Sequence, residues 1–221
     1  MTLMNLMVGG PVGLLPHDWQ KLAGTWVGVD RGTLHLLQAG ITPQFAVGDF
    51  DSLTASEFGQ VKRRVAELHT AKPEKDETDT EMAVRLAFKA GAARVRLIGA
   101  TGGRLDHFLS NLFLPTELRF QNWTEQIEML DAQNWVQFYR GGTHELPAQP
   151  DYPYLGIVPL TGIERLNIAG AKYPLKDWSS MTPFSWASNE FLGQQPVTIS
   201  WQSGIVAVVY SRDRNGQQTD N

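Results

Sequence analysis

Val47-Gly48-Asp49-Phe50-Asp51-Ser52 is the stretch that decides how this chain is read. A buried strand, expected over 45–49, ends here and runs into an acidic loop. Phe45, Ala46 and Val47 are apolar, Gly48 lets a partner approach the backbone closely, and aspartates follow at 49 and 51. Alternate residues of an extended chain point to the same side, so Asp49 and Asp51 are expected to face one site. Two carboxylates aimed at one point repel each other unless a cation sits between them. A hard divalent ion such as Mg2+ accepts carboxylate oxygens and commonly arrives with phosphate. The competing reading is a solvated turn, since Asp and Ser are both common turn residues.

Working outward, short apolar runs alternate with helical spacing. Strands are expected over 6–10, 25–30, 45–49, 67–72, 94–100 and 127–131, with a short helical turn at 19–22. Helices are expected over 33–39, across most of 53–68, over 78–90 and over 105–114. That alternation predicts an α/β domain with an open parallel sheet and helices on both faces. Polar residues fall just past the strand ends: Asp30, then Asp49 and Asp51, then Asp76 and Asp79, then Gly102 to Asp106. Ligands of open α/β sheets sit outside the carboxyl ends of the strands. Beyond Asp131 the pattern changes. Trp135–Tyr139 alternates, as does Val197–Trp201, and Gln202-Ser203-Gly204 reads as a turn into a strand over 205–210. The chain is therefore expected to divide into an α/β domain over 1–132 and an all-β sandwich over 133–221.

Composition narrows the function classes. The 221 residues carry 42% hydrophobic residues, enough for a real core, and a net charge of −4, which argues against non-specific nucleic-acid binding. No cysteine is present, so disulfides, thiolate metal sites and cysteine nucleophiles are excluded. Met1–Gly10 lacks a basic leader and is too short to span a bilayer, so the expected compartment is the cytoplasm, with no membrane partner. No G-x-S-x-G elbow occurs.

Two further clusters carry candidate chemistry. In Lys75-Asp76-Glu77-Thr78-Asp79-Thr80-Glu81, Thr78 and Glu81 fit a capping box that starts a helix at Asp79. Complementing the helix N-terminus accounts for Glu77 and Glu81. Asp79 is placed beside Asp49 and Asp51, at a metal or phosphate site. Gly99-Ala100-Thr101-Gly102-Gly103-Arg104-Leu105-Asp106-His107 runs from a strand through a glycine turn into a helix. Bared N–H groups at a helix start favour anions, and Arg104 offers a planar fork to phosphate oxygens. The spacing is neither a P-loop nor a dinucleotide fingerprint. On shape alone a plain capped turn explains it equally well, and His107 is not taken as a base. Asp30-Arg31-Gly32 reads equally as a turn or as a place where Asp30 holds a nucleotide group. In the β region, Ser188-Asn189 with Tyr173, Trp178 and Trp201 could fix a heteroaromatic ring, although ordinary sandwich packing accounts for each aromatic.

Taken in order, Gly48–Ser52, Lys75–Asp79 and Gly99–His107, with Ser188-Asn189 further on, resemble the thiamine pyrophosphokinase family. The resemblance covers nearly the whole chain. It implies an ATP-binding catalytic α/β domain and a thiamine-binding β-sandwich. It also implies a homodimer whose sites form where the α/β domain of one subunit meets the β domain of the other. The implied reaction moves the diphosphate of ATP to the hydroxyl of thiamine and releases AMP, with Mg2+. On this resemblance Asp49, Asp51 and Asp79 hold Mg2+, with Asp76 nearby and Asp30 in the same cleft. Gly102, Gly103 and Arg104 lie at the triphosphate, and Arg104 or Asp106 contacts it or polarises the hydroxyl. Ser188 and Asn189 bind the aminopyrimidine of thiamine. Lys75 stands where some relatives carry a neutral polar residue, and Tyr173 where some carry tryptophan. Two other readings of the same acids are a haloacid-dehalogenase-like phosphatase, with the first Asp of D-x-D as nucleophile and Lys72 assisting, and a non-catalytic nucleotide or thiamine sensor.

Overall fold

The computed structural model describes residues 2–70 and 77–213. They form two units, Met1–Pro115 with Gln126–Ala132, and Thr116–Glu125 with Gln133–Asn221. In the first, strands β1 (Leu3–Met7), β2 (Thr25–Val29), β3 (Ala46–Gly48), β4 (Leu68–Thr70), β5 (Arg94–Ile98) and β6 (Ile127–Leu130) are all parallel, in the order β6-β5-β1-β2-β3-β4. Helix α1 (Arg31–Gln38) follows β2, α2 (Ala55–Arg64) follows β3, α3 (Asp79–Lys89) follows β4 and α4 (Leu105–Phe113) follows β5. Met4, Asn5, Leu6 and Met7 are buried in succession, so both faces of β1 are covered, as a parallel sheet requires.

The first strand begins three residues earlier than its apolar pattern indicates. Asn5 is fully buried within it, and its Nδ2 donates to the Ala23 carbonyl at 3.1 Å. Beyond Thr70, the strand expected over 67–72 lies outside the described residues. Both α2 and α3 start at capping boxes, Thr54 with Glu57 and Thr78 with Glu81. Helix α2 buries Val61 against Leu37, Ala46, Phe50 and Val65, and each such fully buried side chain stabilises by about 1.5–3 kcal/mol. The sheet order turns at β1, with β2, β3 and β4 to one side and β5 and β6 to the other. The crevice at the carboxyl ends of β1 and β5 is therefore a topological switch point.

The second unit is antiparallel: β7 (Asn134–Leu146), β8 (Tyr154–Pro159), β9 (Ile163–Ala169), β10 (Leu175–Ser180), β11 (Trp186–Glu190) and β12 (Val197–Ser211). The turn expected at Gln202-Ser203-Gly204 is not a hairpin. Val197–Ser211 is one strand, and both its halves pair with β7 across a register shift between Trp201 and Ile205. The extra residues form a bulge whose polar groups are satisfied locally. Trp201 Nε1 donates to the Gly204 carbonyl at 3.1 Å, and the Ile205 N–H donates to Thr161 Oγ1 at 2.9 Å. On its other edge, β12 pairs with β9 along Thr198–Ser200 and with β8 along Val206–Ser211. The β9–β10 and β8–β11 arms close over one core containing Leu155, Ile157, Leu166, Ile168, Ile199 and Val208. Among the described residues no helix is long and apolar enough to cross a membrane.

Candidate active site

A cleft of about 870 Å³ opens at the switch point of the first unit. It is lined by Val8–Gly10 past β1, Asp30 and Arg31 past β2, Asp49 and Ser52 past β3, 77–81 at the start of α3, and Gly99–Thr101, Gly103, Arg104 and Asp106 past β5. The loops after β1 and β5 close tightly on each other. The Gly10 N–H donates to the Gly99 carbonyl at 2.9 Å, and a Cβ at Gly10 would collide with that same carbonyl. At Gly102, φ is +75° and a Cβ would run into Leu14 Cδ1. Gly102 is thus demanded chiefly by its left-handed backbone, and of these two glycines only Gly103 lines the cleft.

The acidic loop converges by a route that strand alternation does not describe. The chain turns at Phe50, whose φ of +59° is left-handed. That turn buries the Phe50 ring, which stacks on Phe58 at 5.1 Å between centroids. It also brings the Asp51 N–H onto Asp49 Oδ1 at 3.0 Å, so the two acids are joined through an Asx-type turn. Asp30 completes the group. Carboxylate oxygens of Asp30, Asp49 and Asp51 all lie within 4.8 Å of one another.

Asp30 sits at the N-cap of α1 with φ of +46° and makes no side-chain cap bond, although aspartate is among the best capping residues. Its Oδ2 instead accepts from Ser52 Oγ at 2.8 Å, and its Oδ1 is buried with no hydrogen-bond partner. Burial raises its pKa above the ordinary aspartate value, and the neighbouring charges of Asp49 and Asp51 push the same way against the Ser52 bond. A carboxylate that makes no cap bond, with one buried oxygen unbonded and two acids beside it, fits a divalent cation. Hard cations take such oxygen sets.

Asp79 is the first residue of α3 and lines the same cleft, but it is not part of the three-carboxylate group. Asp76 and Lys75 lie outside the described residues, as does Lys72. Arg104 and Asp106 hold each other, with Arg104 Nε donating to Oδ1 at 3.1 Å and Nη2 to Oδ2 at 2.5 Å. The bond to Arg104 holds the Asp106 carboxyl below its usual range. Helix α4 begins after Arg104 without a side-chain cap, and a helix start of this kind favours anions.

In the second unit, Ser188 is exposed with φ of +58°, at the register shift of β11 against β8. Asn189 is buried, and its carboxamide binds the backbone of Tyr173, a residue that is 57% exposed. Reading the sequence did not single out Gly9, Gly10, Arg31 or Ser52 as cleft residues. Glycines at a strand end on the active edge were the available signal for the first two; Arg31 and Ser52 are tied to the site only by tertiary contact.

The family model for the thiamin pyrophosphokinase catalytic domain matches residues 17–127, and the model for its vitamin B1 binding domain matches 143–206. The thiamine pyrophosphokinase of Bacillus subtilis (strain 168) is 33% identical over 217 residues, 96% of this chain and 100% of that protein. Among solved structures, a thiamin pyrophosphokinase family protein from Enterococcus faecalis has a TM-score of 0.89 at 40% identity, covering 97% of this chain and 100% of the other. A protein from Lactobacillus plantarum reaches the same TM-score, 0.89, at 41% identity and the same coverages, 97% and 100%.

Proposed function

This chain belongs to the thiamine pyrophosphokinase family, and from that premise we propose how its own residues carry out the reaction. The enzyme transfers the diphosphate of ATP to thiamine. The thiamine hydroxyl oxygen attacks the β-phosphorus, the bond from that phosphorus to the oxygen bridging to the α-phosphate breaks, and AMP leaves with that oxygen.

Asp30, Asp49 and Asp51 are the residues proposed to hold Mg2+, with Asp79 facing the same bound nucleotide; the nucleotide role of Asp76 rests on the family resemblance alone. Bound there, the ion neutralises phosphate charge and helps align the reacting oxygens. The observation that carries this reading is the convergence of three carboxylates within 4.8 Å at the switch-point cleft. Phosphoryl-type transfer asks the protein for positioning and charge stabilisation more than for covalent chemistry. Gly103, the start of α4 and Arg104 supply donors to the triphosphate, while Gly102 shapes the turn. Asp106 is a weak base because Arg104 is bonded to it. Its role is to orient the attacking hydroxyl, whose proton passes to water late in the displacement.

Thiamine is assigned to the second unit. Ser188 contacts the aminopyrimidine, Tyr173 offers the exposed ring face, and Asn189 acts by holding Tyr173. The proposed assembly is a homodimer in which the cleft of one subunit is completed by the β unit of the other. Its support in this chain is α4, whose Leu105, Leu109 and Phe113 are 76%, 47% and 37% exposed while Asp106, His107, Ser110 and Asn111 line the cleft. A cytoplasmic location completes the proposal. The test is product analysis with ATP, Mg2+ and thiamine. AMP and thiamine diphosphate in equal amounts support the reading; ADP, or inorganic phosphate from phosphomonoesters, overturns it.

A further inference from the structure

We propose that Arg31 and Ser52 form a clamp that sets the geometry of the Asp30–Asp49–Asp51 cation site, so that Arg31 strengthens divalent-cation binding despite its own positive charge. The inference rests on the reading of those three acids as the metal site.

The clamp grips one residue at both ends. The Arg31 guanidinium donates to the Ser52 carbonyl, while the Ser52 hydroxyl donates to Asp30 Oδ2 at 2.8 Å. Asp30 and Arg31 are consecutive, so the junction of β2 and α1 holds the far end of the 49–52 loop with two successive side chains. The near end is fixed by the Asp30 N–H, which donates to the Val47 carbonyl at 2.8 Å. Behind Arg31 stands Glu57, 3.9 Å away, itself held in the capping box of α2 by the Thr54 N–H at 2.8 Å. The contacts thus run from α2 through Arg31 and Ser52 to Asp30.

Helix stability does not explain Arg31. It is the first residue of α1, where a cation opposes the helix dipole. Nor is it a freely solvated charge, since its side chain is 37% exposed and lines the cleft. Its contacts do explain it. A planar fork can hold a backbone carbonyl and face a carboxylate at once, and groups that orient metal ligands govern affinity without touching the ion. Without Ser52, Asp30 loses the hydrogen bond that fixes its Oδ2 beside the 49–52 loop.

The two possible effects of Arg31 have opposite signs, and this makes the proposal testable. By charge alone, removing a cation beside three carboxylates tightens cation binding. By positioning, removing it weakens binding. The experiment is Mn2+ binding to the full chain without nucleotide, followed by electron paramagnetic resonance, with thermal melting recorded in parallel. Arg31→Met and Ser52→Ala are each expected to weaken Mn2+ binding by about tenfold, as loss of ligand-orienting contacts does. Arg31→Lys, which keeps a donor and the charge, is expected to fall between wild type and Arg31→Met. The double variant is expected to bind no more weakly than the worse single one, because the two residues act as a unit. Unchanged or tighter binding in Arg31→Met overturns the clamp. Should that variant fail to fold, unchanged binding in Ser52→Ala overturns it equally. A wild-type chain that takes up no Mn2+ sinks the metal reading, and the clamp with it.

Discussion

Asn189 and Tyr173 are joined by a two-point bridge. The Tyr173 N–H donates to Asn189 Oδ1 at 3.0 Å, and Asn189 Nδ2 donates to the Tyr173 carbonyl at 2.9 Å. The amide of one residue thus fixes the backbone that carries the other's ring. Asn189→Ala leaves both part-buried backbone groups short of a side-chain partner, at a cost of about 1 kcal/mol. Urea unfolding should show that loss, and steady-state kinetics should show a raised KM for thiamine with the KM for ATP little changed. A thiamine KM that stays at the wild-type value contradicts the positioning role.

Tyr173 itself is exposed, so truncating it should separate binding from stability. Tyr173→Ala is expected to leave unfolding within about 0.5 kcal/mol of wild type, as surface changes do. It should raise the thiamine KM roughly fivefold, the equivalent of about 1 kcal/mol of ring contact. Tyr173→Trp keeps a stacking face and should match or improve on wild type. If the alanine variant binds thiamine as well as wild type, another aromatic carries the ring.

Tyr210 gives the chain an alkaline limit. It is buried between Trp135 and Phe191, with centroids at 5.3 and 5.9 Å. Burial raises its pKa well above the ordinary value of 10.0, and the nearby Tyr139 adds to the shift. The folded state then holds the phenolic proton more tightly than the unfolded state, so stability falls as pH rises from the unfolded value toward the folded one. Denaturant midpoints measured above pH 10 should decline for wild type and decline less for Tyr210→Phe. Equal slopes for the two contradict this assignment.

Arg104 and Asp106 should divide on substitution. Arg104→Ala removes the guanidinium proposed to stabilise charge on the triphosphate and is expected to lower kcat on the order of a hundredfold, in the range of a lost charge-stabilising donor. Asp106→Asn keeps a group able to orient a hydroxyl and should cost less. The plot of kcat against pH should keep its shape in Asp106→Asn; loss of an ionisation there would make Asp106 a true base.

The parts of this architecture that were legible in the sequence are those with local causes. Alternating apolar runs mark the parallel sheet, and Thr78 with Glu81 marks the start of α3. The residues 202–204 misled because a bulge and a turn draw on the same residue types; only pairing of both halves of β12 with β7 separates them. The convergence of Asp49 and Asp51 was expected for the wrong reason. Their approach depends on a left-handed Phe50 whose ring is buried against Phe58, a tertiary cause. Asp30 was expected in the cleft, but its place beside Asp49 and Asp51, with Arg31 behind it, was hidden, because Ser52, 22 and 21 positions away, is what ties them to the loop. Asn189 was singled out as a substrate contact, yet its amide is occupied by Tyr173.

The central claim is that one divalent cation is held by carboxylates from two separate strand ends. Anomalous scattering from crystals grown with Mn2+ and a non-hydrolysable ATP analogue measures this directly. The account predicts a manganese peak at coordinating distance from oxygens of Asp30, Asp49 and Asp51, with nucleotide phosphate on its open side. A peak coordinated elsewhere, or nucleotide bound in the cleft with no metal at those three carboxylates, contradicts it.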